Sequence, residues 1–163
     1  MRDLTPISLS DFESTPYRYA TMIRATPAAV FAELGDPSLW FALLYHSVWK
    51  TGATSGIGAE RLVSMHGFGH FRSRILAWDE PNRVAFTMIG TTSRLVDQFG
   101  EDLRIEPLAD GVRFEWRVCA TPSALGRAVP RGAIFRGLFA RSARNLAKRS
   151  AWSAGQLAAT HGS

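Results

Sequence analysis

Apolar residues along this chain change their spacing twice, and the changes divide it into three stretches. After a polar lead-in over residues 1–16, Tyr17-Arg18-Tyr19-Ala20-Thr21-Met22-Ile23-Arg24 is rich in aromatic and β-branched residues and partly alternates, which predicts a first strand. A helix start follows. Thr26 is placed to cap, Pro27 occupies a first helical position where its missing N–H costs nothing, and Ala28 to Leu34 are helix formers. Gly35-Asp36-Pro37-Ser38 interrupts the chain, and the apolar run Leu39 to Tyr45 predicts a second short helix.

From Val48 the spacing becomes that of strands. Val48 to Thr51, Glu60 to Met65, Phe71 to Trp78, Arg83 to Ile89, Leu95 to Ile105 and Val112 to Ala120 are six further strand segments, separated by turn material such as Asp79-Glu80-Pro81-Asn82 and Ala109-Asp110-Gly111. In the last of them Val112, Phe114, Trp116 and Val118 alternate with Arg113, Glu115, Arg117 and Cys119, so one face is apolar and the other mostly charged. Short turns between successive strands require antiparallel pairing.

The third stretch has helical spacing. Phe135, Leu138, Phe139, Ala143, Leu146, Ser150, Ala154 and Leu157 form one stripe of a helix from about Gly132 to about Ala158, with Arg141, Arg144 and Lys148 opposite. At 1.5 Å per residue such a helix is about 40 Å long, enough to cross the concave face of a curved sheet. The order predicts an α+β fold in which a seven-stranded antiparallel sheet packs on a long C-terminal helix, with two short helices after the first strand. Residues 17–160 are expected to form a single domain, since a chain of 163 residues suits one core.

Composition changes this picture at one point. The net charge is +5, yet residues 1–121 hold twelve basic and fourteen acidic side chains, whereas residues 122–163 hold seven basic and no acidic ones. The whole positive excess belongs to the terminal helix and the loop before it. No basic start followed by an apolar run marks a secretory signal, and the apolar run Trp40 to Tyr45 is far shorter than the roughly 20 residues of a membrane-spanning helix. A single cysteine, Cys119, fits a reducing compartment, and a cytoplasmic location is expected.

The segment Ile23-Arg24-Ala25-Thr26-Pro27-Ala28-Ala29-Val30-Phe31, followed by Gly35-Asp36 and Trp40, resembles the START-like helix-grip superfamily (SRPBCC). So do Gly58-Ala59-Glu60-Arg61 opening a strand, Ile75 to Val84 across a hairpin, and Pro107 with Gly111-Val112 before the last strand. That superfamily includes polyketide cyclase/dehydratase-like proteins and relatives of the major birch pollen allergen. The resemblance covers about residues 17–158 and implies a seven-stranded sheet wrapped round the C-terminal helix with an apolar cavity between them. It implies no single reaction, because members include lipid carriers, cyclases, hydrolytic enzymes and proteins without a known ligand.

Candidate chemistry follows from register. If Val112, Phe114, Trp116 and Val118 face the cavity, the preceding strand is set by Leu103 and Ile105, whose parity Phe99, Glu101 and Asp97 share. Asp97 and Glu101 would then face an apolar interior, where desolvation raises a carboxyl pKa and suits it to proton transfer; a bulge near Gly100 would reverse this. His46, at the end of the predicted second helix, is a third acid/base candidate. Arg61 is a candidate for holding ligand oxygens, although charged strand residues usually face water. Arg72 and Arg74 should point outward, because Phe71, Ser73 and Ile75 form the apolar set.

Trp40, Phe71, Ser73, Phe86, Met88, Phe99, Phe114, Trp116, Phe135, Leu138 and Phe139 lie on elements that surround one space, and a flat apolar or aromatic molecule is its natural guest. His66 and His70 flank a Gly-rich turn without a third ligand, so neither metal nor cofactor is expected. A different class of partner is open to the basic helix: Arg127, Arg131, Arg136, Arg141, Arg144, Lys148 and Arg149, with Trp152 nearby, would suit docking on RNA, a ribosome or an anionic membrane surface.

Overall fold

A computed structural model of the chain describes residues 1–50 and 56–160, and the side chains of Tyr45 and of residues 152–160 fall outside the description. The elements, in order, are β1 (Arg2–Asp3), α1 (Asp11–Ser14), β2 (Tyr17–Ile23), α2 (Pro27–Leu34), a 3-10 turn (Pro37–Leu39), β3 (Leu44–Trp49), β4 (Glu60–Met65), β5 (Gly69–Asp79), β6 (Arg83–Thr91), β7 (Val96–Leu108), β8 (Gly111–Pro122), a second 3-10 turn (Leu125–Ala128) and α3 (Arg131–Thr160). Thr51, at the end of one expected strand, and the side chains of Trp152, Ala154 and Leu157 lie outside the described residues.

The sheet runs β2-β8-β7-β6-β5-β4-β3 and every pairing is antiparallel. Seven strands are those anticipated from spacing. The eighth, β1, pairs with the end of β6 at Arg2↔Thr91 and Asp3↔Gly90. It fits there because β7 pairs with β6 only as far as Thr87↔Gly100, which leaves the last residues of β6 an open edge.

Local chemistry accounts for the first turns. Thr26 Oγ1 accepts from the Ala29 N–H at 3.3 Å and Pro27 opens α2. The second short helix is displaced from its expected place. Asp36 caps the single turn Pro37–Leu39, with its carboxylate accepting from the Ser38 N–H at 3.1 Å, and Leu44 already belongs to β3. Within the run Leu39 to Tyr45 it is Trp40 and Phe41 that are buried, and the segment is tied to α3 without being helical. Trp40, 2% exposed, donates its indole N–H to the Glu33 carbonyl at 2.8 Å, while Asn145 and Ser142 on α3 bond to the backbone of Trp40 and Ala42.

The inner faces of β8 and β2 meet α3 through aromatic rings. Phe139 lies parallel to Phe114 at 6.4 Å and stacks on Tyr19 at 5.4 Å. On the other face, the lead-in covers the sheet. Ile7 and Phe12 are buried there, and the Ile7 N–H donates to Thr87 Oγ1 at 2.8 Å. A row of charges lies beside it. Arg83 and Arg104 hold the fully buried Asp102, and Glu13 of α1 bridges Arg104 and Arg117.

The lead-in reaches this surface because residue 100 has no side chain. A Cβ on Gly100 would lie 2.8 Å from the Phe86 carbonyl oxygen and 3.1 Å from the Phe12 ring. Gly100→Ala should therefore destabilise the protein by about 1–3 kcal/mol in urea denaturation. An unchanged midpoint would show that the lead-in does not pack on the sheet in this way.

Candidate functional site

The concave side of the sheet is not filled to its far edge. Two adjoining cavities remain between it and the helical elements. The outer one, of about 60 Å³, lies under the first turns of α3 and the Leu125–Ala128 turn, with Phe71, Phe99, Trp116, Phe135 and Leu138 on its walls. The inner one, of about 20 Å³, lies under α2 and the Pro37–Leu39 turn, with Trp40, Phe86, Met88 and Arg61 on its walls. One water needs roughly 10–15 Å³, so the outer space holds several and the inner one or two. Phe41, Met65 and Glu101 belong to both walls, and Glu101 thus stands at the junction.

Glu101 comes inward by strand alternation. It is paired with Phe86 on β6 and Val118 on β8, and its neighbours Gly100 and Asp102 point to the other face. It is 5% exposed, and no carboxylate–cation pair closes on it among the described residues. Burial is the largest influence on its carboxyl and pushes the pKa up to about 8; the Trp116 indole N–H and then the Arg61 charge pull the other way. That indole N–H acts on the carboxyl from a poorly aligned position, since Trp116 Nε1 completes no hydrogen bond of regular geometry.

Arg61 shares the inward parity of Val63 and Met65 on β4. It is 2% exposed, lies over Trp49 at 5.1 Å and Phe86 at 5.5 Å, and makes a long 3.5 Å approach from Nη1 to the Gly35 carbonyl. Among the described residues its Nε has no partner. Burial lowers its pKa to about 10 against the opposing charges of Glu101 and Asp36.

Several expected site residues lie elsewhere. Asp97 is exposed and 3.4 Å from Arg2, because a register shift between Val96 and Gln98 breaks the alternation that Glu101 obeys. His46 is exposed on β3 and lines neither cavity, since the helix expected to carry it ends at Leu39. Phe114 and Phe139 are spent on the helix contact, and Ser73 donates its hydroxyl to the Arg61 carbonyl at 3.3 Å; none of the three lines a cavity. Arg72 and Arg74 point outward to Asp3 and Glu60.

Sequence reasoning missed Phe41, Met65, Phe68 and Ile134, and also the turn Leu125–Ala128 that closes the outer cavity. Met65 was accessible from its parity with Arg61 and Val63. The turn was not. It closes on Leu95 because Gly126 is bare: a Cβ there would lie 1.8 Å from the Leu95 carbonyl oxygen. On the outward side of α3, Arg136, Arg141, Arg144 and Lys148 are exposed, whereas Arg149 turns back to Glu33 at 2.5 Å. Among the described residues no helix is long and apolar enough to cross a membrane.

Comparison with known proteins agrees with this arrangement. The profile of a family described as polyketide cyclase / dehydrase and lipid transport matches residues 16–151. Uncharacterized proteins of Mycobacterium bovis and Mycobacterium tuberculosis are 28% identical over 148 residues, covering 88% of this chain and 84% of theirs. Among solved structures, a Thermobifida fusca protein superposes with a TM-score of 0.66 at 21% identity, over 82% of this chain and 91% of that one. The major latex-like protein 151 of Panax ginseng gives 0.66 at 14%, over 82% and 95%. The di-domain ARO/CYC StfQ of the steffimycin biosynthetic pathway gives 0.65 at 12%, over 88% of this chain and 52% of that one. At these identities the structures show a shared fold.

The raised pKa of Glu101 has a consequence for stability. Between pH 4.5, the ordinary value, and about 8, the folded protein keeps a proton there that the unfolded chain releases. The contribution of this group is whole below 4.5 and declines as pH rises through that window, by up to about 1.4 kcal/mol per pH unit. Glu101→Gln, neutral throughout, should remove that slope, so its stability relative to wild type rises from pH 5 to pH 8 in urea titrations. Parallel curves would show that the carboxyl is not held neutral.

Proposed function

The chain belongs to the polyketide cyclase / dehydrase and lipid transport family, and we propose that it binds a flat hydrophobic or aromatic small molecule in the outer cavity, with Glu101 as its proton-transfer group. The observation that carries this reading is one buried carboxyl, Glu101, set in a wall of Phe71, Phe99, Trp116, Phe135 and Leu138, with Arg131 the other ionisable residue on that wall. Such walls supply apolar area, and a single polar group fixes orientation.

The chemistry follows from the environment of Glu101. Its raised pKa leaves it mostly protonated near neutral pH, so it donates a hydrogen bond or a proton to a ligand oxygen. Its ionised form, dominant above pH 8, removes a proton from carbon next to a carbonyl. Both steps belong to cyclisation and dehydration of a chain of carbonyl groups, and the cavity contributes by holding the chain folded. Asp97 and His46 have no part in this scheme, since neither reaches the cavity. With one cysteine, Cys119, and no pairing partner for it in the sequence, we place the protein in the reducing cytoplasm.

A second reading rests on the exposed cations Arg136, Arg141, Arg144 and Lys148, which would dock the protein on RNA, a ribosome or an anionic membrane surface. Native mass spectrometry of freshly purified protein separates the two. A co-purifying apolar mass supports the cavity; its absence, with salt-sensitive retention on heparin, supports docking.

Proton transfer can be tested without knowing the substrate. The protein should accelerate exchange of the methyl protons of 2-acetylnaphthalene into deuterated water, followed by proton NMR, with a rate that climbs as Glu101 ionises around pH 8. Glu101→Gln should slow this by about 10²–10⁴-fold while leaving ketone binding in place. Leu138→Trp, which fills the outer cavity, should weaken binding of the ketone at least tenfold. Equal exchange with and without Glu101 would exclude it as the proton-transfer group.

A further inference from the structure

An apolar guest in the outer cavity leaves the inner cavity unused, and the inner cavity contains the less explained of the two buried ionisable groups. Arg61 is 2% exposed, yet among the described residues its guanidinium forms no ion pair, its Nε has no partner, and its one hydrogen bond is the 3.5 Å approach of Nη1 to the Gly35 carbonyl. Guanidinium groups buried for structural reasons are normally saturated by carboxylates or carbonyls, because each N–H left unmatched away from water carries a penalty. Arg149, on the same protein, shows the ordinary solution with Glu33 at 2.5 Å. At Arg61 the planar donor set faces empty space of about 20 Å³, enough for one or two oxygen atoms.

The position of that space says what brings the oxygens. The two cavities share Phe41, Met65 and Glu101 as walls, so a molecule whose body lies against Phe99 and Phe135 can direct its end past Glu101 toward Arg61. We infer that the ligand is an amphipathic acid: a flat apolar body in the outer cavity, ending in a planar oxyanion, a carboxylate, that Arg61 binds in the inner cavity. Arginine suits this because its fork of parallel N–H donors matches two carboxylate oxygens. The Trp49 and Phe86 rings, 5.1 and 5.5 Å from the guanidinium carbon, pack against it without competing for its donors.

Charge balance supports the assignment. Glu101 and, farther out, Asp36 are the acidic groups that act on Arg61, and Arg61 is the cation that acts on Glu101; Arg131 stands on the outer wall. While Glu101 is protonated, the buried positive charge is unneutralised and an anion completes it. Once Glu101 ionises, it supplies the negative charge itself and repels the anion. The carboxylate should therefore bind below pH 8 and be weakened above it.

This inference rests on the cavity reading, and the test separates their failures. Binding of 2-naphthoate and of the neutral 2-acetylnaphthalene is measured by calorimetry at pH 6.5, with circular dichroism as the check on folding. In wild type the carboxylate should bind at least tenfold more tightly than the ketone. Arg61→Met should lose that preference while ketone affinity stays within twofold, and Arg61→Lys should keep part of it. Raising the pH to 9.5 should weaken naphthoate but not the ketone, and Glu101→Gln should abolish that pH effect. If the ketone binds and naphthoate is no tighter, or its preference survives Arg61→Met, the oxyanion site is overturned and the cavity reading stands. If neither compound binds, both fall. Should neither Arg61 variant fold, the wild-type pH series decides: a preference that does not fall above pH 8 overturns the inference.

Discussion

The stack of Phe139 on Phe114, with Tyr19 and Trp116 around it, is the contact on which the rest of the interior depends. It presses α3 onto the β2–β8 end of a sheet that curves. A straight helix held close at one end of a curved surface stands away from it at the other, and side chains of ordinary length do not span the difference. Phe99 and Phe135 meet at 6.3 Å and Phe71 reaches Phe99 at 6.4 Å, but beyond them space remains. The cavities lie beyond that contact, the outer one between α3 and residues of β4, β5, β7 and β8, the inner one under α2 and the Pro37–Leu39 turn against β4, β6 and β7.

The two faces of the sheet treat charge in opposite ways. Outside, Asp102 is buried but shared between Arg83 and Arg104, and Glu115 lies between Arg113 and Arg117, so each charge has a matched neighbour. These pairs hold the lead-in through Glu13, which Arg104 and Arg117 bring well below the usual carboxylate range, to about 2. Inside, Glu101 and Arg61 have no such saturation. Among the described residues the outer face closes these ion pairs while Glu101 and Arg61 on the inner face close none, and that contrast supports the reading of the inner face as a binding surface.

Much of this was legible from spacing. The alternation of β8, the cap at Thr26 and the stripe of α3 from Phe135 to Ser150 each follow from a local rule and appear where expected. Register carried inward from Leu103 and Ile105 locates Glu101 on the cavity side, and the same register fails four residues earlier at Asp97. The failure is physical: an extra residue between the Val96 and Gln98 pairings rotates the strand, and nothing in the side chains there announces it. Arg61 illustrates the opposite case. Its parity with Val63 and Met65 pointed inward, while the general rule that strand arginines face water pointed outward, and the local signal was the better one.

Amino-acid order alone determined most of the larger elements, their sequence and their apolar faces, because backbone hydrogen bonding and side-chain period act over a few residues and leave a readable pattern, whereas β1, α1 and the Leu125–Ala128 turn left none. It also determined that the surplus of positive charge lies on the terminal helix and the loop before it. Tertiary structure decided which apolar residues became core and which became wall. Phe114, Phe139 and Phe135 are alike in type, and only the tilt of α3 against the sheet assigns the first two to a closed stack and the third to a cavity. It likewise decided that Glu101 and Arg61, forty residues apart in the chain, stand on neighbouring walls of one space. Desolvation depends on everything that surrounds a group, and those surroundings come from strands that the sequence keeps far apart.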